Sequence, residues 1–132
     1  MGTWDIGPFD NDAAGDLLVL LEEADPAERS EVIREALETA ARAGAYLDYD
    51  DAAAAVAAAA IVARAGDAEP PVDVAGWPIE LPPDLVPLGL NALEHVISED
   101  SEWRALWAES PEYDAAVAEL DRIRTELRQR SA

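Results

Sequence analysis

The segment DDAAAAVAAAAIVARAG, residues 50–66, constrains the fold more than any other part of the sequence. Alanine has the highest helix propensity of all residues, and a glycine such as Gly66 commonly ends a helix. The segment therefore predicts a helix that begins near Asp50 and stops at Gly66. Because apolar residues occupy almost its whole circumference, we expect this helix to lie buried at the centre of the molecule, where neighbouring helices approach it closely.

Apolar residues at three- and four-residue spacing predict further helices on both sides of the alanine segment. These helices cover about residues 12–24, 26–43, 84–97 and 111–129, and a short helix carries Trp103 and Trp107. Polar residues and prolines mark where each helix begins. The predicted starts are Asp10, Asn11 or Asp12 for the first helix, Asp25 with Pro26 and Glu28 for the second, Ser98 or Asp100 for the short one, and Ser110 with Pro111 for the last.

Residues 67–83 differ sharply in composition from the predicted helices. Five prolines and one glycine exclude a long helix here, while Val72, Trp77 and Ile79 can anchor the segment on the helices. We therefore predict an irregular crossing segment inside the domain, not a flexible linker. With 132 residues and 50% hydrophobic composition, the chain is expected to be one all-α domain over residues 1–132, a compact bundle of five to six helices.

The opening residues MGTWDIGPFDND carry the most specific motif. They resemble the N-terminal pattern MGxWGxGPFxNDxAxDW of a bacterial family, domain of unknown function family 4259, although Asp5 and Leu17 depart from it. The likeness continues through the alanine-rich helix, the LPP turn at 81–83 and the SEDSEWRALW stretch. It implies a stand-alone bacterial domain and brings no activity with it. We expect structural roles in packing residues 1–11 on the bundle for the motif residues Trp4, Gly7, Pro8, Phe9, Asn11 and Asp12.

The net charge of −20, from 29 acidic and 9 basic residues, indicates the kind of partner. Such a surplus repels nucleic acid phosphates and anionic lipid, so direct binding to either is disfavoured. An acidic surface with interleaved tyrosines can instead bind a basic protein cleft, with charge accelerating association and aromatic rings providing affinity. Residues 46–51, which we call the LDYDD stretch after the last five of them, fit this description. The candidate partner-binding residues of this stretch are Tyr46, Asp48, Tyr49, Asp50 and Asp51.

Catalytic and metal-binding patterns are incomplete. There is no cysteine, hence no disulfide or thiol nucleophile. The acids from Asp10 onwards follow an EF-hand loop only in part, because Ala14 and Leu21 stand where calcium ligands are needed. His95 and Glu99 lie four residues apart, but a metal site or a nucleophilic site needs further groups, and none is identifiable. We predict no catalytic, cofactor-binding or metal-binding residues.

The sequence thus favours a non-enzymatic acidic protein that engages a basic protein partner. It would act as an immunity-like or antitoxin-like inhibitor, or as a nucleic-acid mimic. The alternatives are a small metal-assisted hydrolase that uses acids near His95, and a self-assembling structural domain. No signal-peptide pattern and no run of about 20 apolar residues is found, so a cytoplasmic protein is expected. Both a monomer and a homodimer are compatible with the sequence.

Overall fold

Six α-helices account for most of the residues that the computed structural model describes, which are 12–42, 46–64 and 82–131. This arrangement confirms the predicted all-α bundle. Three predictions lie outside the described residues: the packing segment 1–11, the helix stop at Gly66 and most of the crossing segment 67–83. The helices are α1 (Asp12–Glu23), α2 (Arg29–Ala41), α3 (Tyr49–Arg64), α4 (Leu85–Val96), α5 (Glu102–Ala108) and α6 (Tyr113–Ser131).

Helix α3 is the alanine-rich helix, and it lies at the centre as the sequence predicts. Ala52, Ala53 and every residue from Ala55 to Ala63 are buried, and all five other helices contact α3. Small side chains let the surrounding helix backbones come close, so the larger side chains of those helices complete the core. The largest of them include Leu21, Ile33, Leu37, Leu93, Leu120 and Ile123.

The connection between α1 and α2 differs from the prediction. Instead of a helix capped by Asp25, residues Pro26–Glu28 form a 3₁₀ turn in which the N–H of Glu28 donates to the Asp25 carbonyl, 2.8 Å away. Glu28 then precedes α2 without a side-chain capping bond. This backbone hydrogen bond therefore satisfies the N–H of Glu28, which the side chain of the predicted cap Asp25 would otherwise have bonded.

The buried Arg29 stabilises the end of α1. Its Nε donates a hydrogen bond to the backbone carbonyl of Leu21 over 2.9 Å.

The start of α5 also differs from the prediction, because its cap is Ser101 and not Ser98 or Asp100. The hydroxyl of Ser101 accepts from the N–H of Arg104. Ser101 is fully buried and pairs with Leu47. The N–H of Leu47 donates to the backbone carbonyl of Asp100, and the N–H of Glu102 donates to the carbonyl of Leu47, both over 2.8 Å. This pairing fixes the segment before α3 against the start of α5. The sequence contains no strand pattern that would reveal it.

None of the described helices is both long enough and apolar enough to cross a membrane.

Candidate functional site

A groove of about 500 Å³ opens between α1 and α2, with the first turns of α3 forming part of its wall. The groove exists because α1 packs chiefly on α3, while α2 packs on α3 and α4, so α1 and α2 make few contacts with each other. We call this feature the acidic groove. Its acidic lining residues are Asp12, Asp16, Glu35, Asp50 and Asp51.

Apolar side chains form the rest of the acidic groove. Leu17 is buried, Val32 and Ala36 are half-buried, and Leu20 is 56% exposed. A leucine with that exposure is a large apolar side chain left in contact with water. In a groove, such a residue is available to contact a ligand.

The five carboxylates of the acidic groove have no arginine partner among the residues that the structure describes, since none of the ion pairs found there includes them. Arginines of the same bundle pair elsewhere: Arg34 bonds Asp84 at 2.6 Å, and Arg42 lies 3.4 Å from Glu38. The acidic groove therefore concentrates negative charge that no arginine of the described ranges neutralises.

The start of α3 shows how the residues of the LDYDD stretch divide their roles. The N–H of Asp51 donates to Oδ1 of Asp48 (2.9 Å), and the N–H of Tyr49 donates to Oε1 of Glu102 (2.7 Å). Asp48 is thus a helix cap, and Glu102 of α5 satisfies a second N–H at the same helix end. Of the five candidate residues in this stretch, only Asp50 and Asp51 line the acidic groove.

The two tyrosines of this stretch have different environments. Tyr49 is half-buried and packs against the core, whereas Tyr46 is 58% exposed. Burial raises the pKa of the Tyr49 hydroxyl, and the charge of Asp50 raises it further. The structure thus places Tyr49 in packing and leaves Tyr46 as the tyrosine open to contact.

Electrostatic repulsion is visible at Asp51. Burial raises the pKa of its carboxyl, and the neighbouring charges of Asp48 and Asp50 raise it further. A group in this situation is stabilised in its charged form when a cation approaches. The acidic groove is therefore suited to a positively charged ligand.

His95 and Glu99 are not brought together. His95 Nδ1 lies 2.8 Å from the backbone carbonyl of Ala40, while Glu99 lies in the turn beyond the end of α4 and is exposed. No ion pair joins the two side chains in the described residues. Over the same residues, no group of three or more histidine, aspartate or glutamate side chains is placed to hold a metal ion.

Sequence reasoning did not identify Asp12, Asp16 and Glu35 as members of one site. Asp12 was assigned to capping, and it is the first residue of α1. Asp12 and Asp16 are four residues apart and share a face of α1 with Leu20, which falls outside the apolar stripe of that helix. This face of α1 is the sequence signal that could have indicated the site. The position of Glu35 opposite to it depends on how α2 packs and is not visible in the sequence.

Fold and site together define an acidic all-α bundle with an amphipathic groove between its first two helices. The chain belongs to the family described as Domain of unknown function (DUF4259), whose model matches residues 2–119. The match includes α1 to α5 and the first part of α6, and it confirms the family resemblance of the sequence. No curated protein matches the chain, and no solved structure matches it.

Proposed function

We propose that this protein is a non-enzymatic binding protein whose acidic groove engages a basic segment of a protein partner. The observation that carries the proposal is the set of five groove carboxylates without an arginine partner in the described residues, arranged around apolar side chains. Arginine or lysine side chains of a partner would supply the missing cations. Charge-assisted hydrogen bonds to carboxylates are among the stronger polar contacts in proteins.

Charge and apolar contact contribute in different ways to such binding. The net charge of −20 attracts a basic partner and accelerates association, an effect that salt weakens. Burial of the exposed Leu20 and the half-buried Val32 would add affinity that is much less sensitive to salt. A ligand that supplies both kinds of contact should therefore bind more tightly than a purely cationic one.

A basic enzyme is one kind of partner that fits this surface. A small acidic protein that occupies the basic cleft of a nuclease or toxin blocks that cleft, as an immunity protein, an antitoxin or a nucleic-acid mimic does. The inhibitor role is the finer part of the proposal. It follows from size and charge, while the groove supports only the proposal of a cationic ligand.

Calorimetric titration with a synthetic peptide of about ten residues that contains arginine and leucine tests the proposal. Saturable binding is expected at about 50 mM NaCl, with strong weakening at about 500 mM NaCl as screening increases. The variant Asp16→Asn/Glu35→Gln should weaken binding about tenfold.

The matched control is Glu109→Gln/Glu112→Gln, which removes two exposed charges away from the groove. This variant should bind almost as the unmodified protein does. Equal weakening by both double variants would show that the peptide responds to net charge alone. That result, or no saturable binding at low salt, would contradict the proposed role of the acidic groove.

A further inference from the structure

The acidic groove differs in character between its two ends. The apolar side chains Leu20 on α1 and Val32 on α2 are the lining residues closest to the connection between these two helices. Asp12 on α1 and Thr39 on α2 are the lining residues furthest from that connection. The lining therefore changes from apolar near the connection to acidic at the opposite end.

The first turn of α3 adds to the acidic end. His95 at the end of α4 bonds the carbonyl of Ala40 in the last turn of α2, and Leu47, two residues before α3, pairs with Ser101 in the segment between α4 and α5. Through these two contacts the start of α3 lies near the end of α2, so Asp50 and Asp51 belong to the Thr39 end of the lining and not to the Leu20 end. Asp16 and Glu35 occupy the intermediate positions on α1 and α2.

We infer that the bound segment is itself divided along its length, with apolar side chains at the Leu20 end and arginine or lysine side chains at the Asp50 end. This inference rests on the proposed function and specifies its ligand. A cation beside Leu20 and Val32 would lose water without gaining a carboxylate, whereas an apolar side chain beside Asp50 and Asp51 would lie against charged groups. The volume of about 500 Å³ is that of a site for a few side chains, not for a folded domain.

Three labelled peptides of identical composition test the order of the side chains. In one, leucines precede arginines; in the second, arginines precede leucines; in the third, the two types alternate. Fluorescence anisotropy with the full chain should show that one of the two divided peptides binds about tenfold more tightly than the alternating one. Both divided orders are needed because the bound segment can run either from the Leu20 end to the Asp50 end or in the reverse direction.

Two variants of α1 connect this preference to the groove. Leu20→Ser should reduce the affinity of the favoured divided peptide to that of the alternating peptide. Val19→Ser is the matched control, since Val19 is 49% exposed on the same helix but does not line the groove. Both substitutions are at exposed positions, and circular dichroism should show unchanged helix content.

The outcomes separate this inference from the proposed function. If all three peptides bind equally and Asp16→Asn/Glu35→Gln weakens them all, the acidic groove binds cations without an apolar end, and only the inference is overturned. If none binds, both are overturned. Sedimentation of the peptide-free protein tests whether a second copy of the chain occupies the groove instead. Self-association that Leu20→Ser abolishes would show that it does, and this result also overturns the inference.

Discussion

His95 Nδ1 on α4 donates a hydrogen bond to the backbone carbonyl of Ala40 in the last turn of α2, over 2.8 Å. A carbonyl oxygen only accepts, so Nδ1 must carry the hydrogen. The last carbonyls of a helix have no partner within the helix, and the histidine satisfies one of them. The single histidine of the chain therefore joins two helices, and this contact accounts for its half-buried position.

The His95 contact predicts a loss of stability when the ring is removed. His95→Ala should lower the free energy of unfolding by about 1 kcal/mol, because one hydrogen bond between α2 and α4 is lost. Urea denaturation followed by circular dichroism measures the change. Glu99→Gln serves as the control and should be nearly neutral. An equal loss in the control would mean that Glu99 acts together with His95, contrary to the structure.

Asp48 should contribute to the stability of α3 through its cap. Asp48→Ala removes the acceptor for the N–H of Asp51 and should cost about 1 kcal/mol, the usual effect of losing an N-cap. Asp48→Asn keeps an acceptor oxygen and should recover most of the stability. Thermal denaturation of the two variants makes the comparison. Equal destabilisation by alanine and asparagine would show that the charge of Asp48 matters, and not its hydrogen bond.

The ion pair between Arg34 and Asp84 predicts a dependence on pH. The hydrogen bonds from Arg34 hold the pKa of the Asp84 carboxyl below its ordinary value of 3.8. A lowered pKa in the folded state stabilises the protein above the unfolded-state value, and the stabilisation disappears as the pH falls through the folded-state value. Asp84→Asn should therefore lower stability at pH values above 3.8 and have progressively less effect below it.

A double-mutant cycle assigns this pH effect to the pair. In the Arg34→Gln background, Asp84→Asn should change stability little at any pH, because the partner of the carboxylate is already absent. Urea denaturation across the acidic range provides the values. A pH-dependent effect of Asp84→Asn that persists without Arg34 would assign the stabilisation to another contact.

Two glycines in helices predict responses to alanine of different size. A Cβ at Gly15 would have no atom within 4 Å, so Gly15→Ala should raise stability by about 0.5–1 kcal/mol through helix propensity. At Gly89 a Cβ would lie 3.3 Å from Cδ1 of Leu127, so the leucine must shift to admit it. Gly89→Ala should consequently gain less than Gly15→Ala. Thermal denaturation that ranks the two variants in the reverse order would contradict the close approach of α4 and α6.

Local sequence patterns predicted the helices well, because helix formation depends on residues close in sequence. The alanine segment became the buried α3, and the last predicted helix became α6, whose buried side chains include Leu120, Ile123 and Leu127. Helix starts were predicted less well. Asp25 and Ser98 are good capping residues, but a 3₁₀ turn and the pairing of Leu47 with Ser101 determine where α2 and α5 begin.

The candidate site could be predicted only in part. Asp50 and Asp51 were recognised from the acidic stretch that contains them. Asp16 and Glu35 come from two other helices, and only the packing of α1 and α2 on α3 brings all four into one groove. The charge pattern along the chain does not show which acidic residues meet, because their meeting depends on how the three helices pack.

The most direct test of the acidic groove is a nuclear magnetic resonance titration of the ¹⁵N-labelled protein with the arginine- and leucine-containing peptide. The amide signals expected to shift are those of the groove-lining residues Asp12, Asp16, Leu20, Glu35 and Asp51, with saturation at one peptide per chain. Signals from the last turns of α6 should remain in place. Shifts spread evenly over the acidic surface, or concentrated away from α1 and α2, would contradict the account.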